Sequence, residues 1–209
     1  MIELYGDATG NTFRVAVTLE EAGLAYVERK VELARGEHRG APYRELNATG
    51  RVPTIVDPDG PGGQRLVLTQ SNAIAFYLAE KSGTLLPADA LERARAFEWY
   101  FFFLTDVITP SQTAFILKRT GTDFGAAVDA IEARCLSMYD YVERHLADRA
   151  FLAGATFSLA DIAGYTISVA FWQKLSPAAE RYPNLTRWFT SVRERPAVAR
   201  GMAAFRRPH

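Results

Sequence analysis

The apolar pattern of this chain changes character once, close to residue 82, and that change limits the folds open to it more than any other feature. Before it, strand-like runs alternate with short helical ones, none longer than about four turns. After it the strand signals vanish, and apolar residues recur every three or four positions. Such a chain reads as an α/β part followed by an all-α part. In the first part the pattern predicts strands over 2–5, 25–31, 54–56 and 66–69, and helices over 11–22, 42–47 and 71–81. The turn-rich Asp57-Pro58-Asp59-Gly60-Pro61-Gly62-Gly63 makes the last two strands an antiparallel hairpin, whereas the helix between the first two makes them parallel. In the second part it predicts long helices over 93–117 and 124–146, the latter with Val128, Ile131, Cys135, Met138, Val142 and Leu146 on one stripe. Residues 82–90, with Gly83 and Pro87, form the break, so two domains are expected, 1–81 and 91–209.

Composition removes several functional classes. Lys plus Arg number 24 and Asp plus Glu number 24, so no long-range field draws in nucleic acid or an acidic membrane. The densest internal basic spot is only Arg35, His38 and Arg39. The lone Cys135 can close no internal disulfide and build no thiolate metal cluster, and it fits a reducing compartment. His38, His145 and His209 show no metal-ligand spacing, so no metal is expected. The opening Met1-Ile2-Glu3-Leu4-Tyr5 lacks the basic start and apolar run of a signal peptide, and a cytoplasmic protein is expected. The window 150–172 carries one charge, Asp161, and approaches the ~20 residues that span a bilayer. Inside it, however, Ser158-Leu159-Ala160-Asp161 is a capping box flanked by a Phe157/Ile162 staple, so a helix starts mid-window. A helix over 159–172, apolar on every side, is expected to be buried at the centre of its domain.

Three segments carry residues suited to chemistry. In Arg51-Val52-Pro53-Thr54 a proline stands at the mouth of a strand whose ladder it cannot join. It is either an edge or turn proline, or the second residue of a cis bond that turns the Val52 backbone outward to pair with an extended peptide. In Gln70-Ser71-Asn72-Ala73-Ile74 a strand gives way to a helix. Ser71 is a natural N-cap, and the same helix end, with the Ser71 hydroxyl and the Gln70 amide, suits a carboxylate. In Thr9-Gly10-Asn11-Thr12, Thr9 or Asn11 caps the first helix. Equally, their donors beside a positive helix end suit an anion such as a thiolate.

In order and spacing these segments resemble the cytosolic glutathione transferases over essentially the whole chain. The residues that carry the resemblance are Leu4-Tyr5 with Thr9-Gly10-Asn11, Gly36-Glu37-His38, Arg51-Val52-Pro53, Gln70-Ser71-Asn72-Ala73-Ile74 and Phe157-Ser158-Leu159-Ala160-Asp161-Ile162. The implied fold is an N-terminal thioredoxin-like domain (βαβ-ββα) followed by a C-terminal helical bundle domain. The first would bind glutathione as co-substrate, and the second would supply an electrophile pocket and the contacts of a homodimer. Carried over, Ser71 and Gln70 would hold the γ-glutamyl end, Val52 would pair with the cysteinyl backbone before a cis Pro53, and Arg51 and His38 would face the glycyl carboxylate. His38 reads equally as a solvated loop histidine.

Classes of this family differ in the residue that activates the thiol. No serine or cysteine lies between Tyr5 and Thr12, and Thr9-x-Asn11 looks like the bacterial nu-class and related theta-like pattern, with Gly10 in place of the usual proline. The resemblance therefore assigns activation to Asn11 and Thr9, with Tyr5 as the rival. It implies a transferase, with disulfide reduction or peroxide reduction as further activities. The competing reading is a glutathione-binding regulatory protein with little turnover. Of the crowded aromatics Phe97, Trp99, Tyr100, Phe101, Phe102 and Phe103, the pair Trp99 and Phe103, four apart, would form one wall for the electrophile. Cys135 reads as a core position without a catalytic role.

Overall fold

The computed structural model describes residues 1–175 and 180–206 and divides the chain into two compact units. In the first, β1 (Ile2–Gly6) leads into α1 (Gly10–Glu21), and β2 (Tyr26–Lys30) returns parallel to β1. Two short 3-10 turns and α2 (Ala41–Leu46) follow, then β3 (Thr54–Asp57), β4 (Leu66–Thr69) and α3 (Ser71–Ser82). The strand order is β2-β1-β3-β4, with β3 antiparallel to both its neighbours. This is the mixed thioredoxin-like sheet expected from the pattern. Period-two alternation puts Ile2, Leu4 and Gly6 on the buried face of β1, where Ile2 and Leu4 join Val15, Leu19, Ile55, Ile74 and Leu78 in the core under α1 and α3. Glu3 and Tyr5 point to the other face. Gly6 is needed for this packing, because a Cβ there would lie 2.5 Å from the Thr12 methyl.

The second unit, Pro87–Arg193, has helices as its regular elements and no strand among its described residues. It comprises α4 (Ala90–Phe102), a π-helical segment (Phe103–Ile108), α5 (Thr109–Leu117), α6 (Gly125–Ser137), α7 (Tyr139–His145), α8 (Leu159–Ser168), α9 (Trp172–Leu175) and α10 (Pro183–Arg193). Three expected helices are therefore divided. The one over 93–117 widens into π turns ahead of Pro110, which has no N–H for the carbonyl four residues back and whose ring crowds it. The Thr109 hydroxyl donates to the Leu104 carbonyl there, at 2.7 Å. The one over 124–146 parts at Met138, and the one over 159–172 ends at Ser168.

The capping box forms as expected. The Ser158 hydroxyl accepts from the Ala160 N–H (3.3 Å), and the Asp161 carboxylate accepts from the Ser158 N–H (2.9 Å). Asp161 is fully buried and accepts also from the Leu152 N–H (2.9 Å) and the indole N–H of fully buried Trp188 (2.8 Å). Every residue of α8 is buried, as its all-round apolar sequence predicts.

One boundary needs correction. The expected second domain runs to residue 209, whereas the second compact unit ends at Arg193. From Glu194 to Arg206 the chain belongs to the first unit, where α11 (Pro196–Met202) lies on α1 so closely that a Cβ on Gly201 would stand 2.5 Å from the Val17 Cα. Arg195 forms a two-bond pair with Glu21 (2.7 Å each), Arg200 pairs with Glu20 (2.6 Å), and the Phe205 N–H donates to Glu28 (2.7 Å). The cause is in α1, whose residues Thr12 to Leu19 are all buried: the sheet covers one side, and the helix needs a second cover.

Candidate functional site

Strand register gathers the three candidate segments at one end of the strands. Tyr5 pairs with Thr54 and Thr54 with Thr69, so the end of β1, the start of β3 and the end of β4 lie side by side. The chain leaves β1 into Thr9-Gly10-Asn11 and leaves β4 into Gln70-Ser71, while Arg51-Val52-Pro53 enters β3 from the same side. Two helix N-termini and one extended backbone segment thus share that end of the sheet, an arrangement that favours negative charge and a peptide-like ligand.

At the first helix end Thr9 is the cap, its hydroxyl oxygen accepting from the Thr12 N–H (3.3 Å) and lying 2.9 Å from the Thr12 hydroxyl. Asn11 is half-buried, and its Oδ1 accepts from Arg14 at 3.2 Å. At the second, Gln70 rather than Ser71 occupies the N-cap position, with φ 67° and ψ 106°, a left-handed backbone rare for a residue with a side chain. Ser71 is the first helical residue, so its expected role as N-cap is corrected. Its hydroxyl is buried and accepts from Arg14 at 3.1 Å.

The Val52–Pro53 bond is cis. The Arg51 carbonyl just before it is held by the Tyr43 hydroxyl and the Asn47 amide, each 2.6 Å away, both groups also bonding the Thr54 hydroxyl. The Arg51 side chain is exposed. Gly50, at φ 61°, brings the loop against the His38 backbone, where a Cβ would lie 2.8 Å from the His38 carbonyl oxygen. The His38 ring turns to its neighbour, and its Nε2 accepts the Arg39 Nε–H at 3.2 Å.

Tyr5 faces away from α1 and α3. Its hydroxyl donates to Glu3 (3.2 Å), itself paired with Arg29 (2.6 Å), and its ring lines a cavity of about 380 Å³ with Val31, Tyr43 and Leu46. Burial and the Glu3 carboxylate push the Tyr5 pKa upward, which makes it a reluctant acid already committed to another anion.

In the second unit Trp99 and Phe103 do not form one wall. Phe103 has no exposed surface and packs on Trp188 (6.5 Å, stacked) and Phe102 (5.5 Å), whereas half-buried Trp99 lies on the His145 ring at 4.0 Å. The turn from Trp99 to Phe103 is α-helical, with the Phe103 N–H donating to the Trp99 carbonyl, so it is the full burial of Phe103 that takes it out of a shared wall. Cys135 is fully buried, its thiol donates to the Val107 carbonyl (3.5 Å), and burial pushes its pKa up, so it is a core residue. His145 bonds the Leu152 carbonyl at 2.8 Å, and His209 lies outside the described residues. Among the described residues no three His, Cys, Asp or Glu gather as metal ligands, and no helix is long and apolar enough to cross a membrane.

Sequence reasoning missed Arg14. It is 2 % exposed, and its Nη1 reaches Asn11, Ser71 and, at 2.9 Å, the Asn72 Oδ1, tying both helix ends together. The available signal was an arginine inside the apolar run Phe13 to Val17, one turn after Asn11, on a helix that packs all round.

The sheet and its helix-rimmed end define a thioredoxin-like domain, and the following unit is all-helical. The glutathione S-transferase N-terminal domain model matches residues 11–81, and the C-terminal domain model matches 104–196. The chain belongs to the glutathione S-transferase family. It is 29% identical over 204 residues to the disulfide-bond oxidoreductase YfcG of Escherichia coli (97% of this chain, 94% of that protein). It is 30% identical over 221 residues to glutathione S-transferase 3 of Zea mays (99% and 96%). Its fold matches the crystal structure of a glutathione transferase from Burkholderia graminis with two glutathione molecules bound per subunit, at TM-score 0.88 and 29% identity, covering 99% of this chain and 89% of that one.

Proposed function

We propose that this chain is a glutathione-dependent enzyme that stabilises the glutathione thiolate at the start of α1 for attack on an electrophilic carbon or a disulfide sulfur. The observation that carries the reading is the shared end of the sheet, with Asn11 at one helix end and Ser71 at the other. Ser71 and Gln70 receive the γ-glutamyl carboxylate and amine, the Val52 backbone pairs with the cysteinyl part, and Arg51 takes the glycyl carboxylate. His38 stands in the loop packed against Gly50, next to the same end of the ligand. The thiolate lies by Asn11, with Thr9 beside it: when the Thr12 hydroxyl donates to Thr9, the Thr9 proton is left to point outward.

A thiol near pKa ~8.5 needs about 2.7 kcal/mol of preferential thiolate stabilisation to fall by two units. One or two hydrogen bonds to the anion at ~1.5–3 kcal/mol each, and a helix end at ~0.3–1, supply that without any proton acceptor on the protein.

Disulfide reduction by this chain would use no protein thiol, because its lone thiol is buried in the second unit and cannot relay electrons. Both electrons then come from two glutathiones. The first thiolate attacks the disulfide, forming a mixed disulfide and expelling a thiolate that takes up a proton; the second attacks the mixed disulfide, giving glutathione disulfide and the second thiol. Two molecules per subunit are bound in the Burkholderia relative. The setting proposed is a cytoplasmic homodimer, where glutathione is kept reduced. Trp99 is the aromatic retained for the second substrate.

The difference spectrum of bound glutathione tests the reading: thiolate absorbance near neutral pH is expected, and an unshifted thiol refutes the enzyme. Asn11→Ala is expected to abolish that absorbance while Tyr5→Phe leaves it; the reverse result moves activation to Tyr5. Turnover of an aryl halide, an organic hydroperoxide and a small disulfide then ranks the activities.

A further inference from the structure

Asn11, Ser71 and Asn72 are ambivalent side chains. Each carries both donor and acceptor capacity, and nothing in their chemistry fixes which one meets a ligand. Arg14 is different, because a guanidinium only donates and stays charged at any working pH. It is buried behind all three, with Nη1 3.2 Å from Asn11 Oδ1, 3.1 Å from Ser71 Oγ and 2.9 Å from Asn72 Oδ1. Each neighbour therefore turns an accepting atom inward. What Asn11 and Ser71 then present on their other side is the Nδ2 hydrogens of the amide and the hydroxyl hydrogen of the serine.

We infer that Arg14 is the positioning residue of the glutathione site, the group that turns Asn11 and Ser71 into donors, anchors itself on Asn72 and sets a fixed positive charge behind them. The inference rests on the glutathione reading above, and it makes one buried cation serve two anionic parts of the ligand. Asn11 presents its N–H to the thiolate, and Ser71 presents its O–H to the γ-glutamyl carboxylate. Arg14 touches neither. The three acceptors share the two Nη1 hydrogens, whose directions the guanidinium plane fixes, whereas an ammonium turns freely on its flexible stem. The same bonds tie α1 to α3, so the spacing of the two anion sites is held by the residue that orients them.

The test measures wild type, Arg14→Met and Arg14→Lys for the pH titration of the bound glutathione thiol, followed by thiolate absorbance. Affinity for S-methylglutathione, which has the carboxylates but no thiol, is measured alongside. In Arg14→Met the thiol midpoint is expected to rise by about one unit or more and S-methylglutathione to bind about tenfold more weakly. Arg14→Lys is expected to fall between. Adding Asn11→Ala to Arg14→Met should raise the midpoint little further, because the amide has already lost its orientation. A folded Arg14→Met with wild-type titration and wild-type affinity overturns the inference. Should circular dichroism show Arg14→Met unfolded, Arg14→Lys decides, and wild-type behaviour in both readouts overturns the three-acceptor role. A wild-type protein that binds glutathione with an unshifted thiol defeats the underlying reading instead, and is told apart because it needs no variant.

Discussion

Asp161 shows how much one side chain can hold in place. Its two oxygens accept from Ser158, Leu152 and Trp188, joining the start of α8 to the preceding loop and to α10. Asp161→Ala leaves these buried donors without a partner, and a loss of about 3–5 kcal/mol is expected in urea unfolding. Burial outweighs the donated bonds and pushes its carboxyl up to about 6, above the ordinary 3.8. A group with a raised folded pKa holds its proton in the native state while the unfolded chain releases it. Its stabilising contribution is therefore full below pH 3.8 and is lost as pH rises through 6, by up to about 3 kcal/mol. The unfolding free energy of wild type minus that of Asp161→Asn should fall across that window; a flat difference refutes the shift. Asp57 works in the opposite sense. Burial raises its pKa, but bonds from Tyr77 and Lys81 more than offset this and hold it low, so its contribution is lost toward acid pH. At the ligand end, Ser71→Ala is expected to weaken glutathione binding about tenfold or more with little change in the unfolding midpoint, and unchanged affinity removes the carboxylate site.

Among the elements, α1 carries the most. Its cap is Thr9, its first turn holds Asn11, and Arg14 links it to α3. The approach of neighbouring chain depends on glycine at two places, Gly6 beneath Thr12 and Gly201 against Val17. Gly201→Ala forces backbone apart from backbone, so a destabilisation of about 1–3 kcal/mol is expected. A wild-type melting temperature in that variant contradicts the packing. The strands and helices from Ile2 to Ser82 were legible to within a residue or two, because a period of two and a period of 3.6 are easily told apart in short segments. The breaks at Phe103 and Met138 were not, since the apolar period runs through both. Pro110 was a visible warning, but the width of the turns before it depends on what packs around them.

At the scale of the whole molecule, the chain enters its second unit at Pro87 and returns to the first at Glu194. A chain ended at Arg193 would bare one side of α1 and strip Glu20 and Glu21 of their arginines. It would also remove Ala204 and Phe205 from the core beneath α1 and α3. A loss of about 3 kcal/mol or more from the first unit is expected in urea unfolding, and glutathione binding should weaken with it. An unchanged midpoint would mean that α11 adds nothing. The sequence alone determined that an α/β half precedes a helical one, that the sheet is mixed and where α8 begins, and it singled out Thr9, Asn11, Val52-Pro53 and Gln70-Ser71 as the candidates for the chemistry proposed above. Those are local matters of periodicity, turn residues and caps, each decided within a few residues along the chain. Only the tertiary structure decided that Arg14 stands behind Asn11 and Ser71, that Tyr5 points elsewhere, that Phe103 is buried away from Trp99, and that the last helix belongs with the first. Those are matters of which faces meet across long stretches of chain, and no local pattern specifies the partner that a buried face acquires.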